Sequence, residues 1–489
     1  MPDLDLRIAI GIGIVALWRY SWFAVHTIRA GLYAWLQYPQ LRRRANRYKK
    51  RPPIAVVVAS YKIDPLITNA VIKALCDAAA NYHGPCSIAF TVANTTESAI
   101  IQKLFLRYYT ENIKLFIHLQ GNHGKRSGLA ESLAGLSRHH KIPPAMITLM
   151  DGDSIVPPDI FSRCIGHLMT SPTIGALTVN NAAFNVRARR CWMAWIRLRY
   201  HQRHFWMQSQ AFSEELLVLT GRFSCFRGSL AFEEGFIKAL AEDVLHHPRF
   251  GSIKMITGDD KSTWLYTVHR GLGMRYLRDI KIFCAEDEQR PFLEASPKKL
   301  LRWSGNMLRA GHKAMFEPGR LPPFMALMLL DQRISIFTGL YTPTLMLIVL
   351  ILGRADITLY WLLWVLFSRT LFSLCLGGKH FNLLWPLFLI YNQIIGNILK
   401  GYILTHLDVQ GWTQNAGLLG RRRNTWLSRA WLVLSVLILF YMSLFTAIPS
   451  QHLLTSRSHP TNNEVFIPLS QRNHFGNLYA SPYTSGLGN

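Results

Sequence analysis

Ile54-Ala-Val-Val-Val-Ala-Ser60 is a β-branched apolar run that ends in a polar loop. A strand with no polar face is buried on both sides, as in a parallel sheet covered by helices. Residues 87–92, 113–118 and 145–150 are runs of the same kind, and the helical stretch 68–80 separates the first of them. Strands alternating with helices predict a doubly wound α/β sheet, whose ligands bind beyond the carboxyl ends of the strands. Chemistry is therefore expected in the polar residues that follow each strand.

Met150-Asp-Gly-Asp-Ser154 follows such a strand. Two carboxylates two positions apart on a tight Gly turn can share a divalent ion with a diphosphate, and oxygen ligands suit Mg²⁺ or Mn²⁺. A solvated Asp-Gly turn is the bland alternative for a DxD standing alone. This one is preceded by Gly121-Asn-His-Gly-Lys-Arg-Ser-Gly128, with Lys125 and Arg126 for anionic oxygens. That loop departs from the GxxxxGK[ST] pattern, which argues against nucleoside triphosphate hydrolysis of that type. Gly258-Asp-Asp-Lys261 comes before a predicted helix at 262–269, where a carboxylate can be a base held by free backbone N–H groups or simply an N-cap. Residues 298–309, with Arg302 and Trp303, predict a basic amphipathic helix near a membrane.

The 489-residue chain is 50% hydrophobic and only 17% charged, against about 25% charged in a soluble domain. This composition excludes a disordered or fibrous protein and argues against a wholly soluble enzyme. Lys and Arg total 54 against 28 Asp and Glu, a net charge of +26, which suits nucleic acid, the cytoplasmic membrane face, or an acidic substrate or product. The seven cysteines show no CxxC spacing and read as reduced, buried thiols. Stretches 334–352, 359–376 and 431–448 are apolar for about the 20 residues a span requires. A weaker candidate runs over 8–35, interrupted by Arg19 and Arg29. The Arg/Lys clusters at 42–51 and 421–429 put residues 50 onward, and the flank of the last span, in the cytoplasm. Residues 381–404 are apolar but polar-spotted and read as an interfacial or re-entrant helix, as does the Trp- and Arg-rich stretch 191–207. The histidines there, and the pairs at 139–140 and 246–247, do not read as a zinc site. Organisation is expected as an N-terminal membrane segment and basic flank (1–51), a catalytic domain (52–295), an interfacial helix region (296–333), a transmembrane region (334–450) and a polar tail (451–489).

In order, Asp64 after a strand, the Gly124-Lys-Arg126 loop, DxD, Gly258-Asp-Asp260 and Arg302-Trp303 before paired spans resemble a processive family 2 glycosyltransferase. Trp18-Arg-Tyr-Ser21, Thr257-Gly-Asp-Asp-Lys-Ser262, Gly305-Asn306, Asp331-Gln-Arg333 and Tyr391-Asn-Gln393 are similar to the catalytic subunit of bacterial alginate (mannuronan) synthase. One departure from the wider class is Lys299, where its QxxRW motif has Gln.

The resemblance implies a cytoplasmic GT-A domain joined to interfacial helices and about 4–5 transmembrane helices in the bacterial inner membrane. It implies a nucleotide-sugar donor bound through Mg²⁺ or Mn²⁺ at Asp153 and Asp151, with Ser60, Tyr61, Asp64 and Glu97 lining the nucleoside pocket. Lys125 and Arg302 would contact the diphosphate, Asp260 would be the general base, and Asp259 and Trp303 would meet the acceptor. Lys261, Arg222 and Arg227 are candidate contacts for a sugar carboxylate, and Arg369 inside a span is a further cation for a polyanionic product. Trp412 and Thr413 sit where related synthases carry a gating loop. The implied donor is GDP-mannuronic acid and the product poly-β-1,4-mannuronate, passed through the lipid bilayer. Alternatives are a UDP-sugar-dependent cellulose-, chitin- or hyaluronan-like synthase and a non-processive lipid-carrier transferase; nucleic acid is not an expected partner. No appended domain with an RxxxR cyclic-di-GMP signature is read in the chain, so such control, implied by the resemblance, is expected in a separate regulatory subunit.

Overall fold

The computed structural model describes residues 2–410 and 430, apart from 62, 121–123 and 249. The expected gating loop with Trp412 and Thr413, the Arg421 cluster, the span at 431–448 and the tail lie outside the described residues. The chain opens with α1 (Pro2–Leu32), a π-helical turn (Tyr33–Gln37) and α2 (Tyr38–Arg47). Then β1 (Ile54–Ala59), α3 (Pro65–Tyr82), β2 (Cys86–Val92), α4 (Thr95–Arg107), β3 (Ile113–Leu119), α5 (Lys125–His139) and β4 (Met146–Asp151) alternate as expected. After β5 (Ser154–Ile155) come α6 (Ile160–Met169), β6 (Ile174–Asn185), α7 (Arg190–Ala211), β7 (Phe223–Arg227), α8 (Gly228–Ala231) and α9 (Glu234–Ala241). A hairpin of β8 (Val244–His247) and β9 (Gly251–Lys254) precedes α10 (Asp259–His269) and β10 (Gly273–Glu286). The long helices α11 (Phe292–Phe316), α12 (Pro323–Ile351), α13 (Ala355–Gly377) and α14 (Trp385–Thr405) follow.

Eight strands form one sheet in the order β3-β2-β1-β4-β7-β6-β10-β5. The half β3-β2-β1-β4 is parallel throughout, and the first five residues of β1 are buried, as a two-sided apolar run requires. Beyond β4 the sheet is mixed, because β7 runs antiparallel to both β4 and β6. Nothing local in the sequence of β7 announces that partner choice.

Stretch 191–207 belongs to α7, which buries Trp192, Trp195, Ile196 and Leu198. This helix lies between β6 and β10 of the sheet and the helices α1, α13 and α14. The basic flank after α1 is also docked on the domain: Asp279 holds Arg42 at 3.0 Å and Arg163 at 2.6 Å.

Among the described residues, α12, α13 and α14 are long and apolar enough to cross a membrane. On α13, Leu359, Tyr360, Trp364 and Phe367 are all more than half exposed, an apolar surface that water does not favour. Two of the polar residues that make 381–404 read as interfacial, Asn392 and Gln393, have partners on other helices. Asn392 accepts from Trp195 Nε1 at 3.0 Å, and Gln393 accepts from Arg369 at 2.7 Å while donating to the Gly339 carbonyl at 3.2 Å. Arg369 is thereby tied to α14. The expectation that all seven cysteines are buried needs correction: Cys375 is exposed on α13 and Cys191 half-buried, while the other five are buried.

Candidate active site

A cleft of about 1660 Å³ opens at the carboxyl ends of β1 and β4. Ser60 and Tyr61 enter it directly after β1, and Asp151 and Asp153 from the turn after β4. Gly152 makes that turn possible: a Cβ there would meet Ile63 Cδ1 at 2.7 Å and the Ala59 carbonyl at 2.9 Å. Lys125 opens α5, and α11 supplies Arg302 and Trp303 to the same cleft. The helix expected from residue 262 starts earlier, at Asp259. Gly258 serves as its N-cap at φ 93°, a left-handed conformation natural to glycine. Asp259 and Asp260 therefore occupy the first turn, where the helix dipole and free N–H groups favour negative charge.

Lys125 joins the two acidic motifs, with Nζ 2.7 Å from Asp151 and 2.8 Å from Asp259. The neighbouring aspartates consequently titrate in opposite directions. Burial pushes Asp259 up, but the Lys125 ammonium and its hydrogen bond overturn this and hold its carboxyl below the usual value. Burial pushes Asp260 above its usual value; Lys261 opposes the shift and the charge of Asp259 adds to it. Two adjacent carboxyls driven apart in this way are the pattern that acid–base chemistry uses, and the raised Asp260 is the one suited to accept a proton. Burial also lowers Lys261, against the pull of Asp260.

The donor set at the DxD turn suits a hard cation that keeps water and phosphate ligands. Asp151 and Asp153 supply carboxylate oxygens, and among the described residues no group of three or more His, Cys, Asp or Glu forms a closed cage. Arg222, expected near a sugar carboxylate, is paired with Asp153 and lies 3.5 Å from Glu286. Glu286 was not singled out in the sequence. It is buried at the end of β10 and also takes Lys299 Nζ at 3.5 Å. The lysine in the QxxRW position thus ties α11 to the sheet, and its Nζ lies 5.3 Å from the centre of the Trp303 ring.

Two assigned residues are absent from the cleft wall. Asp64 caps α3 by accepting from Leu66 N at 2.9 Å and pairs with Arg187 at 3.2 Å. Glu97 accepts from Ser60 Oγ at 2.6 Å, behind the pocket. Arg126, read as an anion ligand, is 5% exposed and donates to Ser262 and the Ala239 carbonyl, so it clamps α5 to α10. Asp243 extends this clamp by binding Ser262 and Lys313 of α11. Gln410 also went unread: it brackets the strand before the GDD turn, accepting from Ile256 N at 3.1 Å and donating to the Lys254 carbonyl at 2.7 Å.

Comparison with known proteins agrees with this arrangement. Residues 52–306 match the family model "Glycosyltransferase like family 2". The chain is 31% identical over 434 residues to glycosyltransferase alg8 of Pseudomonas syringae pv. tomato, covering 86% of this chain and 88% of that one. It is 32% identical to glycosyltransferase alg8 of Azotobacter vinelandii, at the same coverage of both. Among solved structures it is similar to a Pyrobaculum calidifontis mannosyltransferase in complex with GDP-Man and Mn²⁺, at 13% identity, TM-score 0.41, and 88% and 99% coverage; so slight a likeness carries no argument. The sheet is the GT-A arrangement expected, and the three apolar helices make the protein membrane-associated. Identity sustained along most of both chains makes this enzyme a member of the alginate-synthase-like family 2 glycosyltransferases.

Proposed function

We propose that this enzyme polymerises GDP-mannuronic acid into poly-β-1,4-mannuronate and passes the chain outward across the bacterial inner membrane as a multi-pass protein. The observation that carries the reading is one cleft lined by the DxD carboxylates, Asp260 and Arg302-Trp303 that also reaches α12 and α14 through Ser335 and Lys400. Residues 52–295 then form the transferase domain, 296–333 the helix region beneath it, and 334–450 the path through the bilayer. Asp153, supported by Asp151, would hold Mg²⁺ or Mn²⁺. A bound cation of that kind offsets the negative charge of the donor diphosphate. Lys125 and Arg302 neutralise charge growing on the leaving nucleotide. Asp260 accepts the proton of the acceptor hydroxyl as it attacks the anomeric carbon. Single displacement inverts that carbon, so an α-linked donor gives a β-linked chain. Trp303 and Asp259 meet the acceptor end, Ser60 and Tyr61 the nucleoside, with Asp64 and Glu97 setting the pocket's shape from behind. Trp412 and Thr413 belong to the gate, and cyclic-di-GMP control belongs to a separate subunit.

The test is product analysis. Membranes containing the full chain and its partner subunits, given labelled GDP-mannuronic acid and Mg²⁺, are expected to make a long polymer that a mannuronate-specific lyase degrades. A single transferred sugar would overturn processivity, and incorporation from UDP-sugars alone would overturn the donor.

A further inference from the structure

The turn that carries Asp260 does not rest on the sheet alone. It follows the β8–β9 hairpin, whose Phe250 and Ile253 are buried with Leu308 of α11, Ile336 of α12 and Leu407 just beyond α14, in a cluster apart from the main core. Polar contacts from the same side close around the turn itself. Thr257 Oγ1, directly before Gly258, donates to Asn306 Oδ1 at 2.7 Å. The same oxygen accepts from Arg309 at 3.0 Å, and Arg309 donates from its other terminal nitrogen to the Leu407 carbonyl at 3.3 Å. Arg309 is 3% exposed, and these neutral oxygens meet its buried guanidinium. Gly305 leaves it room, since a Cβ there would stand 2.9 Å from one guanidinium nitrogen and 3.2 Å from the other. Gln410 completes the frame through its bonds to Lys254 and Ile256.

The Gly305-Asn306 pair thereby gains a physical reason: the glycine admits Arg309, and the asparagine joins the turn, α11 and segment 407–410. Arg309 has only donors to offer, which fixes the oxygen of Asn306 toward it and leaves that oxygen shared with Thr257. A base must lie within hydrogen-bond reach of the hydroxyl it deprotonates, and a displacement of about 1 Å can cost about 100-fold in rate. Asp260 follows Thr257 with the conformationally free Gly258 between them, so its place depends on what holds 254–258. We infer that Asn306 and Gln410 are positioning residues for Asp260, tying its turn to the segment that ends α14, so that the base is in place only while 407–410 is seated. This inference rests on the proposed transferase reading and adds that the base is held from the long apolar helices as well as from the sheet.

The test uses the full chain in membranes with its partner subunits, and measures initial rates of transfer from GDP-mannuronic acid. GDP with Mg²⁺ is titrated calorimetrically on the purified chain in parallel. Thr257→Val keeps the side chain's shape and loses its hydroxyl; it is expected to lower kcat about tenfold or more, with donor KM and GDP affinity held within about twofold. Asn306→Leu and Gln410→Leu are expected to act in the same way, and Thr257→Ser to keep most of the rate. Because Thr257 and Asn306 share one bond, the double variant Thr257→Val, Asn306→Leu is expected to be no slower than Asn306→Leu alone. Wild-type kcat in Thr257→Val, or a raised KM at unchanged kcat, overturns the positioning role and leaves the transferase. Lowered thermal stability with an unchanged rate per folded molecule makes the contacts structural, which also overturns the inference. An unmodified chain that neither transfers sugar nor binds nucleotide overturns both readings.

Discussion

Asp260→Asn is expected to lower polymer synthesis by about 10³-fold, the span of a lost general base, while Mg²⁺-dependent nucleotide binding persists. The same substitution is expected to raise thermal stability at neutral pH. Burial and Asp259 hold the Asp260 carboxyl above its ordinary value, so the folded state binds that proton more readily than the unfolded chain does. Stability is therefore lost as pH rises from the unfolded carboxylate value through the raised folded value. Asn carries no charge and escapes this loss. A melting series of both proteins from pH 4 to pH 8 is expected to show a gap that opens with pH, and the wild-type pH–rate profile to have its acid limb above the ordinary Asp value of 3.8. A variant that is slower and also less stable at every pH would show Asp260 to be structural.

Lys125→Met is the other large effect. Its ammonium lies between Asp151 and Asp259 at 2.7 and 2.8 Å, and without it Asp259 loses that ion pair while Asp151 keeps Arg222 at 3.9 Å. Removing one member of a largely buried pair costs about 3 kcal/mol. The pH dependence has a definite sign. In the wild type the depressed Asp259 carboxyl contributes stability above its unfolded value, lost only when pH falls through its lowered folded value. In the variant, burial acts on that carboxyl against only Arg126 and a backbone hydrogen bond, so its value rises from that of the wild type and protonation relieves the unpaired charge as the solution is acidified. The melting difference between the two proteins is expected to be largest near pH 8 and to narrow toward pH 5. A constant difference would contradict the role given to Lys125. Donor affinity is expected to fall as well, because the lysine is the proposed contact for the diphosphate.

The parts legible in sequence are those whose physics is local. The two-sided apolar runs of β1 and β2 can only be buried strands, and the tight Asp151-Gly-Asp153 turn is written in adjacent residues. The start of α10 was misjudged by three residues because Gly258, in its left-handed conformation, admits both aspartates into the helix. Asp64 shows the converse ambiguity: a polar residue after a strand can bind a ligand or cap the next helix, and here its oxygen accepts from Leu66 N. What was illegible depends on long-range pairing. The antiparallel insertion of β7, the Arg126–Ser262–Asp243–Lys313 clamp and the meeting of Arg199 with Lys400 join residues far apart in the chain. The arginines and tryptophans of α7 suggest a helix at the membrane interface, whereas Arg199 and Arg203 line the cleft while Trp192 and Trp195 fill the core. Lys299 is intermediate. Its departure from the wider motif was visible, but only Glu286, buried at the end of β10, explains what a lysine does there.

On the proposed reading, the DxD carboxylates hold a divalent cation together with the diphosphate of a guanine nucleotide. Calorimetric titration of the purified full chain with GDP and with UDP, with and without Mg²⁺, addresses it without partner subunit or sugar. GDP is expected to bind only with the cation and more tightly than UDP, and Asp153→Ala to abolish that binding. Nucleotide binding that is indifferent to Mg²⁺ and unchanged by Asp153→Ala would contradict the site, and a preference for UDP would contradict the guanine donor.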